Sequence, residues 1–375
     1  MTLTDRMRRT IRAHGPITVA AFMESALYDA QDGYYATSAQ RSGRAGDFYT
    51  SVDVGPLFGE LMAEFAARRW AAWRDGAPPD EPFWLIEAGA GNGRLMRDLL
   101  DTLAAEQPAC YAAARVGLVE RSARARAAHA ATLGPHAPRL AWSDAELPPA
   151  ASGLLLSNEL LDAFPAHRVR MTPDGLREVH VTERDGRLTL IDGPPSSPDL
   201  AAYLAAANVA LADGAVADLS LSAIAWVREA ARRLSHGTIL FVDYGYEARE
   251  LFSSHRREGT LVSYERHQFD PADSGSDPDH PPWLSRPGRR DLTTHVDFTS
   301  VSRAAEAEGW RRECLLEQSR FLIDLGLGAR LASSRGSSPA DIRRRLAAKA
   351  LALPLGPGGS HRALVLTRRG PGRQV

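Results

Sequence analysis

Three glycines at alternate positions, Gly89, Gly91 and Gly93, close the run Ile86-Glu87-Ala88-Gly89-Ala90-Gly91-Asn92-Gly93 just ahead of the amphipathic stretch RLMRDLLDTLA. Glycines so spaced let a chain turn sharply and approach a ligand, and the helix behind them offers free N–H groups at its start. An ordinary strand-to-helix turn could carry the same glycines, so the surrounding acids decide what the turn would hold. Glu120 ends RVGLVE, where a carboxylate can take both hydroxyls of a ribose, and Asp144 in AWSDAEL stands where it can accept from an adenine amino group. Glu87 at the mouth of the turn would repel a pyrophosphate and attract the ammonium and sulfonium of S-adenosylmethionine. Each acid alone is more often a cap or a solvated charge. Three of them after successive strands favour a methyl donor over a dinucleotide.

A further apolar run ends in Ser157-Asn158-Glu159-Leu160-Leu161-Asp162-Ala163-Phe164-Pro165-Ala166-His167. Groups just past the carboxyl end of a parallel strand, beside the switch point of the sheet, face the bound ligand. Asn158 and Glu159 are thereby placed to meet a methyl acceptor. A carboxylate there can hold a guanidinium by two parallel hydrogen bonds, which orients the nitrogen for in-line attack. Asp162 reads equally well as a helix cap, and His167 better as a partly buried polar group. His280 and His295 stand near Asp279 and Asp297 without metal-ligand spacing, and no metal is expected. There is no G-x-S-x-G nucleophile elbow. The arginine clusters at 121–126 and 343–345 read as solvated helix faces rather than a nucleic-acid patch.

The elements that must position these groups follow from pattern. Short apolar runs (FWLIEAG, RVGLVE, GLLLSN, GTILFVDYG) alternate with helical stretches, which predicts an α/β fold with a parallel sheet covered on both faces. Ahead of them, residues 17–27 and 57–73 show helical spacing, after a short basic N-terminal helix. HRVRMT, LREVHVT and RLTLID, joined by Pro-Asp-Gly and Asp-Gly, predict an antiparallel meander over 167–191. Residues 270–291 are too rich in Pro, Asp and Gly for an element and predict a long loop. The chain then resumes as a helix at 298–309, a strand near 311–316, helices to about 352 starting again at Ser338-Pro339, and a last strand over 362–367.

The 375 residues suffice for a large core, and 44% hydrophobic with 24% charged residues is ordinary globular usage. Forty-five basic residues against 46 acidic give no global charge for a nucleic acid or an anionic membrane, and no apolar run is long enough for a span. Two cysteines, Cys110 and Cys314, point to no disulfide framework, and the expected compartment is the cytoplasm.

The combination of GPITVAAFM, DGYY, GDFYTS, EAGAGNG, SNELLDAFPAHRV, VDYGY and DLTTHVDF resembles the MidA family of class I methyltransferases, over about residues 15–367. That resemblance implies a Rossmann-like, seven-stranded methyltransferase sheet with an N-terminal helical region (1–80) closing over the cofactor. It implies a methyltransferase domain over 81–367 with acceptor-side insertions at 166–200 and 245–295, and a frayed tail at 368–375. The activity it implies is dimethylation of arginine in a partner protein, with a respiratory complex I subunit as the family's acceptor. Carried over by position, EAGAGNG matches the S-adenosylmethionine turn, with Ala90 where the family often has proline, and SNELLDAFPAH matches the acceptor side with Glu159 and Asp162 as its acids. GDFYTS matches a motif that would bring Asp47 and Thr50 to the site, and Tyr244 in VDYGY would wall the acceptor pocket. A small-molecule methyltransferase on the same fold and a non-catalytic assembly factor are the alternatives. A dehydrogenase fits less well, because G-x-G-x-G after Glu87 lacks the dinucleotide spacing.

Overall fold

A computed structural model describes residues 1–36, 51–78, 80–265, 268–270, 279–332, 336–353 and 361–370. Its main sheet has seven strands: β1 (Phe83–Ala88), β2 (Ala114–Val119), β3 (Leu140–Asp144), β4 (Ala151–Asn158), β5 (Leu234–Tyr246), β6 (Arg311–Glu317) and β7 (His361–Arg368). Their order is β3-β2-β1-β4-β5-β7-β6, with β1 to β5 parallel and β7 antiparallel to both its neighbours. A two-residue strand, Val296–Asp297, extends the tip of β5. The direction of winding reverses between β1 and β4, so a crevice opens there at the carboxyl ends of the strands. The glycine turn follows β1 and the Asn158-Glu159 pair ends β4, on either side of it.

Burial on both faces explains why these strands are near-continuously apolar. Phe83 and Leu85 of β1 pack with Leu57, Phe58, Leu61 and Phe65 of α3 (Leu57–Arg74) and with Leu99 and Leu103 of the helix Arg94–Glu106. Ile86 and Ala88 point the other way, against Val227 of Leu221–Arg233 and Phe298 and Val301 of Phe298–Glu306.

The meander forms as its turns demand. His167–Thr172, Gly175–Arg184 and Arg187–Gly193 pair antiparallel. Asp185 and Gly186 both take positive φ (52° and 76°), which is what a two-residue type I′ hairpin requires. Two strands unseen in the pattern complete a five-stranded sheet: Val216–Leu219 beside His167–Thr172, and Ile17–Thr18 beside Gly175–Arg184. Residue 17 therefore opens a strand, and the helix begins only at Val19, where the Thr18 hydroxyl caps it.

The N-terminal residues serve two different cores. Leu3, Met7 and Ile11 of α1 (Leu3–His14) and Phe22, Met23 and Leu27 of α2 (Val19–Tyr28) pack on Val179, Val181 and Leu188 of the meander. By contrast α3 is a layer of the main sheet. Residues 1–80 are thus divided, because the apolar stripes of α1 and α2 match the meander and that of α3 matches β1 and β4.

The segment expected as a loop over 270–291 begins and ends in strands of a small sheet, Val262–Glu265, Gln268–Asp270 and Asp291–Thr293. Its described part holds a short helical turn, Pro282–Leu284, whose Trp283 is buried beside Phe22. No helix among the described residues is long and apolar enough to cross a membrane. Of the tail expected to fray over 368–375, Arg368 instead closes β7 opposite Gly237, and residues 371–375 lie outside the described residues.

Candidate active site

The glycine turn needs glycine for its backbone. Gly89, Gly91 and Gly93 have φ of 71°, 51° and 88°, in the left-handed region that other residues enter at a cost. A Cβ on Gly89 would press on Leu160 at 3.0 Å, whereas one on Gly91 would meet nothing within 4 Å, so the turn is open at its middle glycine. The Gly89 and Ala90 N–H groups donate to the Val119 carbonyl, which ties the turn to the tip of β2. Gly91 is held from both sides. Its N–H donates to Glu120 Oε2 at 2.9 Å, and its carbonyl accepts from His129 Nε2 at 2.9 Å.

Glu120 also accepts from the Ser122 N–H at 2.7 Å, and its backbone N–H donates to the Asp144 carbonyl. The Arg121 N–H bonds to the same carboxylate, and since a carboxylate has about four acceptor directions, one remains for a ribose hydroxyl. Asp144 is exposed at the end of β3 and uses Oδ1 on the Ala145 N–H.

Glu87 requires a correction. It lies beneath the first turn of the helix Arg94–Glu106, where Oε2 accepts from the Met96 N–H at 3.1 Å and the residue is only 4% exposed. Burial pushes its carboxyl up to about 8, so at neutral pH it is mostly protonated and does not present an open charge at the mouth of the turn.

Across the crevice the chain leaves β4 through Glu159, a non-glycine residue with φ 52°. Such a backbone costs of order 1–3 kcal/mol and persists where its surroundings hold it. Here Asp243 of β5 does so: Oδ2 accepts the Leu160 and Leu161 N–H groups at 3.0 and 2.8 Å, while the Glu159 N–H donates to the Val242 carbonyl. The Glu159 carboxylate accepts from Asn158 Nδ2 at 3.0 Å and the Ser51 N–H at 3.2 Å, and its Oε1 lies 3.4 Å from Nε2 of the fully buried His361. Tyr244 packs on that imidazole with ring centroids 3.8 Å apart.

Asp162 sits in the short turn Leu161–Ala163, is 5% exposed, and its Oδ1 has no hydrogen-bond partner among the described residues. Burial, then the charges of Asp243, Glu159 and Asp291, hold its carboxyl well above the usual range. Asp243 is raised as well, by burial first and by Glu159. Asp291 is itself buried and accepts from the Tyr35 hydroxyl. Asn158 Oδ1, Gln318 Nε2 and both His361 nitrogens are likewise buried without hydrogen-bond partners among the described residues. Two partnerless acceptor oxygens, Asp162 Oδ1 and Asn158 Oδ1, beside the carboxyl groups of Glu159, Asp243 and Asp291 are suited to a cation carrying several N–H groups.

The structure therefore brings Glu87, Gly89, Gly91, Gly93, Glu120, Asp144 and Asn158 to the tips of β1 to β4, and Glu159, Asp162 and Tyr244 to the tips of β4 and β5. Asp47 and Thr50 lie outside the described residues; the neighbouring Ser51 is fully buried and donates its hydroxyl to Gln318 Oε1. Sequence reasoning missed His129, Asp291, Gln318 and His361 as site residues. Asp291 at least stands in the DLTTHVDF motif; the other three carry no local signal, because the groups they meet, Gly91, Ser51 and Glu159, are 38 or more residues away in the chain. The arginine clusters are less free than expected. Arg121 pairs with Glu24 and stacks on Tyr28, Arg126 donates to the Glu120 carbonyl, and Arg344 pairs with Glu60. No cluster suited to a metal ion occurs among the described residues.

The cradle fits S-adenosylmethionine: an open Gly91, a helix N-terminus behind it and remaining acceptor capacity on Glu120. Residues 61–315 match a family described as "Putative S-adenosyl-L-methionine-dependent methyltransferase". The mitochondrial protein arginine methyltransferase NDUFAF7 of Rattus norvegicus is 27% identical over 357 residues, covering 86% of this chain and 73% of that protein. Its Danio rerio counterpart is 26% identical, covering 92% and 81%. A COG1565 superfamily member from Burkholderia thailandensis, solved bound to S-adenosyl-homocysteine, superposes with a TM-score of 0.84 at 29% identity, covering 98% of this chain and 92% of that one.

Proposed function

The chain belongs to this family of S-adenosyl-L-methionine-dependent methyltransferases, and from that premise we propose that it methylates an arginine side-chain nitrogen in a partner protein. The observation that carries this reading is the group of buried Asp162, Asp243 and Asp291 with the largely covered side chain of Glu159; Asp162 Oδ1 and Asn158 Oδ1 lack partners among the described residues. Such a group is unfavourable alone and becomes favourable around a guanidinium, whose five N–H donors match several carboxylate and amide oxygens at once. The curated relatives named as protein arginine methyltransferases support the same acceptor. A respiratory complex I subunit is the acceptor protein that the family resemblance suggests, and the two free thiols suit a cytoplasmic setting.

In this reading Glu120 takes a ribose hydroxyl, Asp144 the adenine amino group, and the turn at Gly91 the backbone of the donor. The cofactor would supply an electrophilic methyl carbon, and the sulfur would take the C–S bonding pair as the N–C bond forms. Glu159 orients the guanidinium, so that its reacting nitrogen faces that carbon, and Tyr244 with the 279–293 segment excludes water. One proton must leave the nitrogen. Asp162, beside Glu159 and with a partnerless oxygen, accepts it once the cation has drawn its carboxyl down into the ionised form.

The test is transfer of a labelled methyl group from S-adenosylmethionine to soluble protein from the source cells, followed by acid hydrolysis and amino-acid analysis. Label in methylarginine is the expected result. Label recovered only in small molecules would replace this acceptor with the small-molecule alternative, and no transfer with intact cofactor binding would favour a non-catalytic assembly role.

A further inference from the structure

His129 lies in the short helix His129–Leu133, after β2, and is 1% exposed. Its ring spans two strand tips that are not neighbours in the sheet. Nε2 contacts the Gly91 carbonyl, beyond β1, and Nδ1 contacts Ser143 Oγ, in β3, each at 2.9 Å, while β2 runs between them. A carbonyl oxygen cannot donate, so the proton must be on Nε2, and Nδ1 then accepts from the serine hydroxyl. The pair of contacts thus selects one neutral tautomer, and burial lowers the imidazole's pKa, which favours that neutral form.

The bond to Gly91 fixes more than one atom. In a trans peptide the C=O of Gly91 and the N–H of Asn92 point in opposite directions, so tying the carbonyl down to His129 turns the following N–H to the other side of the turn. The Gly91 N–H is fixed in turn by Glu120, and the imidazole packs beneath Gly93, whose Cβ would meet its Cδ2 at 3.7 Å. Without the imidazole, the left-handed Gly91 unit would be free to rotate and could turn its carbonyl to the face that now carries the Asn92 N–H.

We infer that His129 is a positioning residue for the methyl donor: it holds the peptide plane at Gly91 in its binding orientation and braces the glycine turn against the tip of β3. The inference rests on the cofactor reading and does not depend on which acceptor is methylated.

The experiment compares two near-isosteric variants. The amide nitrogen of glutamine falls near Nε2 and can still donate to Gly91, whereas that of asparagine falls near Nδ1 and cannot reach it. Calorimetric titration with S-adenosyl-homocysteine should show His129→Gln within about threefold of wild type and His129→Asn weakened by about tenfold or more, the loss of one neutral hydrogen bond and the order it imposed. Melting temperatures of the ligand-free variants should be alike, so that affinity and fold stability separate. Equal affinity in both variants, or equal losses that track melting temperature, would overturn the positioning role. Nitrogen-15 NMR of the wild-type imidazole gives a second reading that needs no variant: the Nε2–H tautomer is expected, and the Nδ1–H tautomer overturns the inference. Wild-type protein that fails to bind S-adenosyl-homocysteine would overturn the cofactor reading, and this inference with it.

Discussion

The tips of β1 to β3 and the tips of β4 and β5 both gather acids, and they treat them in opposite ways. On the first side each carboxylate is given to backbone N–H groups: Glu87 to Met96, Glu120 to Gly91 and Ser122, Asp144 to Ala145. On the second side Asp243 is used in that manner, but Asp162 is pressed among Asp243, Glu159 and Asp291 with an oxygen left over. The first half is ordered in advance for a ligand that needs shape and a hydroxyl partner. The second keeps carboxyls in their neutral form until a cation draws them into the ionised one, so arrival of the acceptor and ionisation of the site become one event.

Four predictions would break or sharpen that contrast. The largest effect is expected from Glu159→Gln. Transfer should fall by roughly 10²–10⁴-fold in single-turnover assays while affinity for S-adenosyl-homocysteine stays close to wild type. A parallel loss of cofactor affinity would mean that the two halves are not separable. Glu120→Ala strikes the other half: cofactor affinity should drop by about 1.5–3 kcal/mol, and unchanged calorimetric binding would remove Glu120 from the ribose.

The third prediction concerns pH. Glu87 titrates in the folded chain near 8 against an ordinary value of 4.5, and Asp162 and Asp243 are also raised. A raised acid stabilises the fold fully below its unfolded value, and that contribution is lost as pH rises through the folded one. Ligand-free protein should therefore lose stability between about pH 4.5 and 8. Asp162→Asn should flatten this fall and raise the melting temperature at pH 8 while impairing transfer; a melting temperature that instead drops would show the acid group to be structurally favourable. The smallest effect belongs to Asp144→Ala, because the residue is exposed: cofactor affinity should weaken by about 1 kcal/mol or less.

The same contrast explains what could be read from the chain. The cofactor half is built from local signals, a strand, a glycine run with forced positive φ and an acid closing the next strand, and each is visible as a short string. The acceptor half draws on Asn158 to Asp162, Asp243 and His361, which meet because β4, β5 and β7 are neighbours in the sheet, and on Ser51, Asp291 and Gln318, which reach them from other elements. Asn158, Glu159 and Asp162 were legible from their place after a strand and from the family motif; His361, which opens an edge-side strand, was not. In the fold, the meander's turns announced themselves through Asp-Gly, but Ile17–Thr18 and Val216–Leu219 are too short for periodicity and exist because a sheet edge recruits them. The electrostatic argument for Glu87 failed for a related reason: burial under a helix start, a tertiary fact, changed its protonation.

The central claim is that the β4–β5 acids receive a cation at the cost of their protons. Calorimetric titration of the S-adenosyl-homocysteine complex with an arginine-containing peptide, repeated from pH 6 to pH 8.5, tests it directly. The account predicts that affinity rises with pH, with proton release measurable from the buffer dependence of the heat, and that both features are reduced in Asp162→Asn, where Asp243 is the raised acid left beside Glu159. Affinity that is flat or falls over this range, while S-adenosyl-homocysteine remains bound, would contradict it.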